Sequence, residues 1–597
     1  MANEQLSNNK EEDYKVRVNE LEQDEMLYQV QQNFLKKLQL ETGYKELDGK
    51  KKKQIQDLFD QLKDLRFLSV DHYIIFVKQF LSNFQGFTGY VDTVLDKLKM
   101  EENKIPDKGV LVLYTGGTIG SAPKDINDPD SPQVVKSWKE LKRSTPGLDR
   151  IGFRVDAISF ETPLDSCNVW QDHWVTMANI IYEHYNDYEG FVILHGTDTM
   201  VYTASALSFM LQELDKPIVI TGSQISGICS LRNDAHQNFI TALYIANSKA
   251  LNLPIIPEVC IFFGNKLIRG CRSKKIDSNG YVAFDSPNYP LLGTAGDQIE
   301  IDKSRLKPKQ EQSTPTLFTT LNNTVIMIDV FPGIQNSKVI ENLFKDPDLK
   351  GVILRSYGTG NIPTDKKFLE LFENVTDKIC IVNVTQCSKG SVEMGFYETS
   401  QLLLDRGIIS GFDISPEAAL VKLMMLLGEF GDDIDSVKKY MQTSISGEQQ
   451  YTLQKTTFDQ KGELSSENRQ LNLEVKELET VEDSELINKA ILRFHKAAII
   501  PERDKDYVSI KLFVNIKGHG KQEEKLIGTF KKAKVSSEAS ESLAFDITTA
   551  KTMLIKKEQI KMGRSFKNEF SFTVELDDND NCSFQWDKAV LELYITD

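Results

Sequence analysis

Long apolar runs are missing from this 597-residue chain. No stretch approaches the roughly 18 uninterrupted apolar residues that a membrane-spanning helix needs. Cysteine is scarce too: seven in all, with no CxxC pair, argue against a disulfide scaffold and fit reduced thiols. Positive charge is in deficit, since 71 Lys and Arg face 87 Asp and Glu and leave a net −16. Such a balance repels phosphate backbones, so nucleic acid is not an expected partner. The opening MANEQLSNNKEEDYK shows neither the basic flank nor the apolar core of a signal peptide, and a cytoplasmic location is expected. No repeat recurs at solenoid periods. What is present is apolar material, 40% hydrophobic with 9% aromatic, ample for buried cores. At about 150 residues per domain, the length predicts roughly four globular units.

The first of these, 1–105, reads as a helical extension. Leu27, Val30, Phe34 and Leu38 share one helical face, as do Ile55, Leu58, Phe59, Leu62 and Leu65. Lys50 to Lys53 beside Asp48 and Asp57 read as a solvated face. From Pro106 the rhythm changes. VLVLYT (110–115), FVILH (191–195) and PIVITG (217–222) are short, β-rich and apolar on both faces, as strands covered on two sides must be. A helix with a buried stripe of Ala204, Leu207, Leu211 and Leu214 is predicted between the last two, which predicts a parallel α/β domain over 106–296. Residues 297–323 are polar and read as a linker. A smaller α/β domain is predicted over 324–447, with strands VIMIDVF, GVILRSY and CIVNVT, and a helix capped by Ser415 with Pro416 at its first position. A second polar linker is expected at 448–487. Alternating apolar and polar residues in DYVSIKLFVNI, EFSFTVEL and AVLELYI then predict an antiparallel sandwich over 488–597.

Chemistry gathers at predicted strand ends, where parallel sheets bind ligands. TGGTIG (115–120) follows the first strand, and its glycines permit a sharp turn and close approach of a ligand. It lacks the lysine of a phosphate-binding Walker loop. HGTDTM (195–200) sets the hydroxyl of Thr197 beside the carboxylate of Asp198, with His195 read as structural. RGCRSKK (269–275) supplies lysines that, next to an aspartate, relay a proton toward a hydroxyl nucleophile. Each cluster alone has an ordinary explanation in capping or surface charge; together they are specific.

TGGTIG, GFVILHGTDTM and PIVITGSQ, followed by LRSYGTGN and VTQC, resemble the bacterial-type L-asparaginase family, most of all its type I cytoplasmic enzymes, over roughly 107–447. The resemblance implies a two-domain α/β fold and an L-asparagine amidohydrolase without metal or other cofactor. It implies Thr118 as nucleophile, with Thr197, Asp198 and Lys275 relaying protons and positioning water. Lys275 rather than Lys274 follows from counting on from Arg269. Gly117, Asp165, Ser166, Thr197 and Asp198 are implied to hold the substrate. One departure stands out. The lid tyrosine expected about ten residues past the nucleophile is absent, and Asp128 occupies that spacing. The family's shared sites imply a homodimer or homotetramer, with Tyr357 near a neighbour's site. Arg355, Thr385 and Cys387 match a regulatory asparagine site, although Lys274 replaces its threonine. An amidotransferase subunit and a non-catalytic scaffold are the competing readings; the tail's partner is unknown. DDNDN (577–581) reads as a surface turn.

Overall fold

The structure, a computed structural model, describes residues 108–596 with breaks, the longest at 475–486, 534–541 and 549–569; ahead of them it describes only Gly49 and Lys53. The expected N-terminal helices and the DDNDN turn therefore lie outside the described residues.

The first α/β domain is built on an eight-stranded sheet. Its strands are β1 (Val110–Gly116), β2 (Val155–Leu164), β3 (Gly190–Leu194), β4 (Ile218–Thr221), β5 (Val259–Phe263), β6 (Lys266–Arg269), β7 (Gly293–Ala295) and β8 (Ile299–Ile301). They lie in the order β8-β7-β6-β5-β4-β3-β1-β2. The five at the β2 end are parallel, and β6 to β8 close the other end antiparallel. Val110 to Tyr114 are essentially unexposed, as strands covered on both faces require. Helix α1 (Gln171–Glu183) follows β2, α2 (Met200–Met210) follows β3, and α3 (Ala235–Ala246) follows β4. In α2 nearly every residue is buried, not one stripe. The helix stops at Met210, so Leu211 leaves the expected stripe and pairs with Leu317 in a short antiparallel strand. Pairing there draws on the 297–323 stretch, which also contributes β8; a tract expected to link is partly built into the sheet.

The smaller α/β domain carries four parallel strands, β9 (Val325–Asp329), β10 (Gly351–Ser356), β11 (Cys380–Thr385) and β12 (Ile409–Ser410), in sequential order. Helix α4 (Pro416–Phe430) begins as its sequence predicts: the Ser415 side chain accepts from the Ala418 N–H, and Pro416 occupies the first turn.

The C-terminal region is all antiparallel β, and it starts earlier than the sequence suggests. Strands β13 (Tyr451–Phe458), β14 (Gly462–Leu464) and β15 (Gln470–Glu474) fall inside the expected linker 448–487. They pair with β23 (Lys588–Thr596), β22 (Cys582–Trp586) and β21 (Phe570–Leu576) at the far end of the chain. Polar composition misled because these strands send only alternate residues into the β core, where Phe458, Leu464 and Leu473 suffice. The remaining strands are β16 (Ile487–His495), β17 (Ala498–Pro501), β18 (Tyr507–Gly518), β19 (Lys521–Ala533) and β20 (Leu543–Asp546). Three sheets result, β13-β23-β16-β20, β14-β22-β17 and β15-β21-β18-β19, and they share one core that includes Leu492, Phe494, Leu512, Phe572 and Phe584. Among the described residues no helix is long and apolar enough to cross a membrane.

Candidate active site

Three strands deliver the site, because β1 lies between β2 and β3 and all three run the same way. Past β1 the chain turns at Gly117, whose φ of +86° suits glycine. A Cβ there would stand 2.4 Å from the Gly196 nitrogen, so the turn after β1 lies directly against the turn after β3. Thr118, half-buried, opens the short 3-10 turn Thr118–Gly120 at this contact. Gly117 N–H donates to the Leu164 carbonyl at the end of β2 (2.8 Å), which locks the third strand end to the first.

Ser166 ties β2 to β3. Its hydroxyl accepts from the Asp198 N–H at 3.2 Å, and its carbonyl accepts from the Thr199 hydroxyl at 2.7 Å. Gly196 must lack a side chain here, since a Cβ would sit 2.6 Å from Ser166 Oγ. Asp165, exposed, caps the turn Ser166–Asn168 through the Cys167 N–H. Partial desolvation and the Asp165 and Asp198 carboxylates hold the Cys167 thiol above its usual range, so both carboxylates act on one small volume. Two carboxylates beside backbone donors suit an ammonium and a carboxylate of a small amino acid.

Lys275 completes the group. Arg269 is buried and paired with Glu258 at 2.6 Å, anchoring the chain before it turns through Gly270–Arg272. In the extended pair Lys274–Lys275 successive side chains point to opposite faces. Lys275 Nζ donates to Thr197 Oγ1 at 2.9 Å and to Asp198 Oδ1 at 2.7 Å. Its side chain is 19% exposed and that of Asp198 62%, so the pair opens to solvent from the carboxylate side. Thr197 is buried, and its hydroxyl donates to Gln224 Oε1 at 3.5 Å, the outer limit of a hydrogen bond.

Gln224, the last residue of PIVITGSQ, has no role that its sequence context predicts. It follows β4, its amide donates onward to the Gly280 carbonyl at 3.1 Å, and its own N–H is held by Asp234. Its strand-end position after a third glycine-containing turn was the available signal. His195 is structural, as expected: its ring lies between Thr203 Oγ1 (3.0 Å) and the Gly196 carbonyl (2.6 Å). Burial pushes its pKa down to about 4, which keeps it neutral. At the lid spacing, the Asp128 N–H donates to the Asp125 carbonyl (3.2 Å).

The matches to known proteins coincide with this core. A family model described as "Asparaginase, N-terminal" covers residues 109–307, and one described as "Glutaminase/Asparaginase C-terminal domain" covers 324–441. The chain is 40% identical over 347 residues to "L-asparaginase 1" of Escherichia coli (strain K12), spanning 57% of this chain and 98% of that protein. It is 33% identical to the "60 kDa lysophospholipase" of Mus musculus, spanning 58% of this chain and 63% of that one. The solved structure "The thermostable L-asparaginase from Thermococcus kodakarensis" aligns with a TM-score of 0.51 at 32% identity, over 57% of this chain and 99% of its own.

Proposed function

The chain belongs to the asparaginase family, and from that premise we propose that it hydrolyses the side-chain amide of L-asparagine to L-aspartate and ammonia through a Thr118 acyl-enzyme. The observation that carries this reading is the Lys275 ammonium held at once on Thr197 Oγ1 and Asp198, beside the turn that presents Thr118.

In the first half-reaction Thr118 Oγ forms an ester with the amide carbon. The C–N bond breaks, and the nitrogen leaves as ammonia after accepting the hydroxyl proton. Charge on the amide oxygen needs donors fixed beforehand, and backbone N–H groups of the Thr197 turn supply them in this reading. In the second half-reaction a water cleaves the ester and returns the proton to Thr118. Thr197, with its hydroxyl oxygen accepting from Lys275, orients that water. Asp198 and Asp165 hold the α-ammonium, and Ser166 with Gly117 lines the other end of the substrate. Two copies of the chain with sites near their interface, working in the cytoplasm, complete the proposal.

Ammonia release from asparagine by the purified chain is the test, joined to mass spectrometry of acid-quenched protein for an ester on Thr118. Folded protein that releases no ammonia, or that turns over without the ester, removes this reading.

A further inference from the structure

A cavity of about 350 Å³, lined by none of these residues, lies between the outer face of the β13-β23-β16-β20 sheet and the smaller α/β domain. That volume is in the range of small-ligand pockets. The sheet's inner face packs Leu492, Phe494, Leu591 and Leu593 into the β core, so by the two-residue period their neighbours Leu453, Lys455, Ile491, Arg493, Glu592 and Tyr594 point the other way. In a free-standing sandwich such a face meets water. Here the loop from Ser391 to Gly395 and Phe412 border it, and Arg493 is only 2% exposed.

Most of the charge on this face is spent. Arg493 donates Nε and Nη2 to the two oxygens of Glu592 at 3.3 and 3.1 Å, and Nη1 to Gln401 at 3.1 Å. The Tyr594 hydroxyl also donates to Glu592, at 3.4 Å. Lys455 is different. It stands opposite Glu592 across the strand pair, yet among the described residues nothing accepts a hydrogen bond from its ammonium or pairs with it. Its surface is open to the cavity, while desolvation by surrounding protein pushes its pKa down, with Arg493, Lys588 and Lys438 pushing the same way against Glu592. Exposed into the cavity and without a hydrogen-bond partner, the ammonium has its donors available to a ligand.

We propose that this cavity binds a small organic monocarboxylate, its carboxylate on Lys455 and its apolar body against Leu453, Ile491 and Phe412. The charge count selects the class. Arg493 and Glu592 neutralise each other and Lys455 offers one ammonium without a hydrogen-bond partner, which matches a single carboxylate, while Glu393 and Asp546 along the lining disfavour a phosphate dianion. The residues are contributed by both the α/β domain and the tail, so occupancy favours the docked arrangement of the two over any state in which they separate.

Titration calorimetry of the full chain with isocaproate, and separately with inorganic phosphate, tests this. Saturable one-to-one binding of isocaproate is expected, with an upward shift of the melting transition and no response to phosphate. Lys455→Gln should weaken binding at least about tenfold, the loss of a charge-assisted hydrogen bond, while Lys455→Arg retains it. Ala544→Leu, which narrows the cavity and leaves Lys455 in place, should also weaken it. Ammonia release by these variants should match that of the unaltered chain. Absence of isocaproate binding, preference for phosphate, or undiminished binding by Lys455→Gln or Ala544→Leu overturns the proposal.

Discussion

Two lysine–carboxylate pairs in this protein are chemically alike and physically opposite. Lys422 and Glu448, in the second α/β domain and the segment after it, approach to 2.5 Å with both side chains fully buried. Every remaining valence there is satisfied: Lys422 also donates to the carbonyls of Met441 and Thr443, and Glu448 accepts from the Ile445 and Ser446 N–H groups. Burial alone pushes the Glu448 carboxyl up, but Lys422 and these bonds bring it below its ordinary range. Lys275 and Asp198 make a pair of nearly the same length, 2.7 Å, with the carboxylate largely in solvent and a threonine hydroxyl sharing the ammonium. A closed, saturated pair has no capacity left for a ligand and serves the fold. An open pair keeps lone pairs and a proton available to something that arrives later.

The sharpest way to break the comparison is to remove the proposed nucleophile beside the open pair. Thr118→Ala should lower ammonia release by at least about a thousandfold, as nucleophile removal does elsewhere, with a melting transition close to that of the parent. Lys275→Met should act in the same direction with equally little effect on melting. Loss of stability in place of activity would make the open pair structural.

The mirror experiment is Lys422→Met. It strands Glu448 without its cation, and a penalty of about 3–5 kcal/mol is expected from chemical denaturation. Ammonia release per folded molecule should be unchanged. The linkage sign is that of a depressed carboxyl: the pair's contribution is present above the ordinary glutamate pKa of 4.5 and is lost as pH falls below it.

A third measurement separates acid effects on the fold from acid effects on the open pair. His195 is held neutral, its pKa lowered from 6.5 to about 4. The unfolded chain takes up this proton at higher pH than the folded one. Stability should therefore decline between those values by roughly 3 kcal/mol as pH falls. His195→Gln should flatten that part of the pH profile, whatever its constant cost to stability. An unchanged slope would place the proton uptake elsewhere.

The smallest effect concerns what the open pair grips. If Asp165, Ser166 and Asp198 fix the α-groups as proposed, one extra methylene displaces the amide from Thr118. Asparagine should exceed glutamine in kcat/KM by about 1–3 kcal/mol of barrier. Equal values for the two amides would mean that this end of the site does not measure length.

By itself the sequence determined the parallel core and the strand-end turns on which the proposed chemistry rests. Doubly covered strands such as Val110 to Tyr114 must be apolar throughout, and the turns that follow them must carry glycine where backbones touch, so Gly117, Thr118, Thr197 and Asp198 are legible as a pattern. It also determined the start of α4, since Ser415 and Pro416 act on the adjacent turn. Tertiary structure decided what depends on distant partners. Gln224 gained its place only when β4 came to lie beside β3, because nothing local distinguishes it from any strand-end glutamine. Leu211 left its helix to pair with Leu317. The tract after Glu448 reads as polar because its strands bury a single face, and only pairing with the last strands of the chain, more than a hundred residues on, turns it into sheet. The same pairing faces Lys455 and Arg493 toward a neighbouring domain. Period-two alternation tells which residues share a face, but not whether that face meets water or protein.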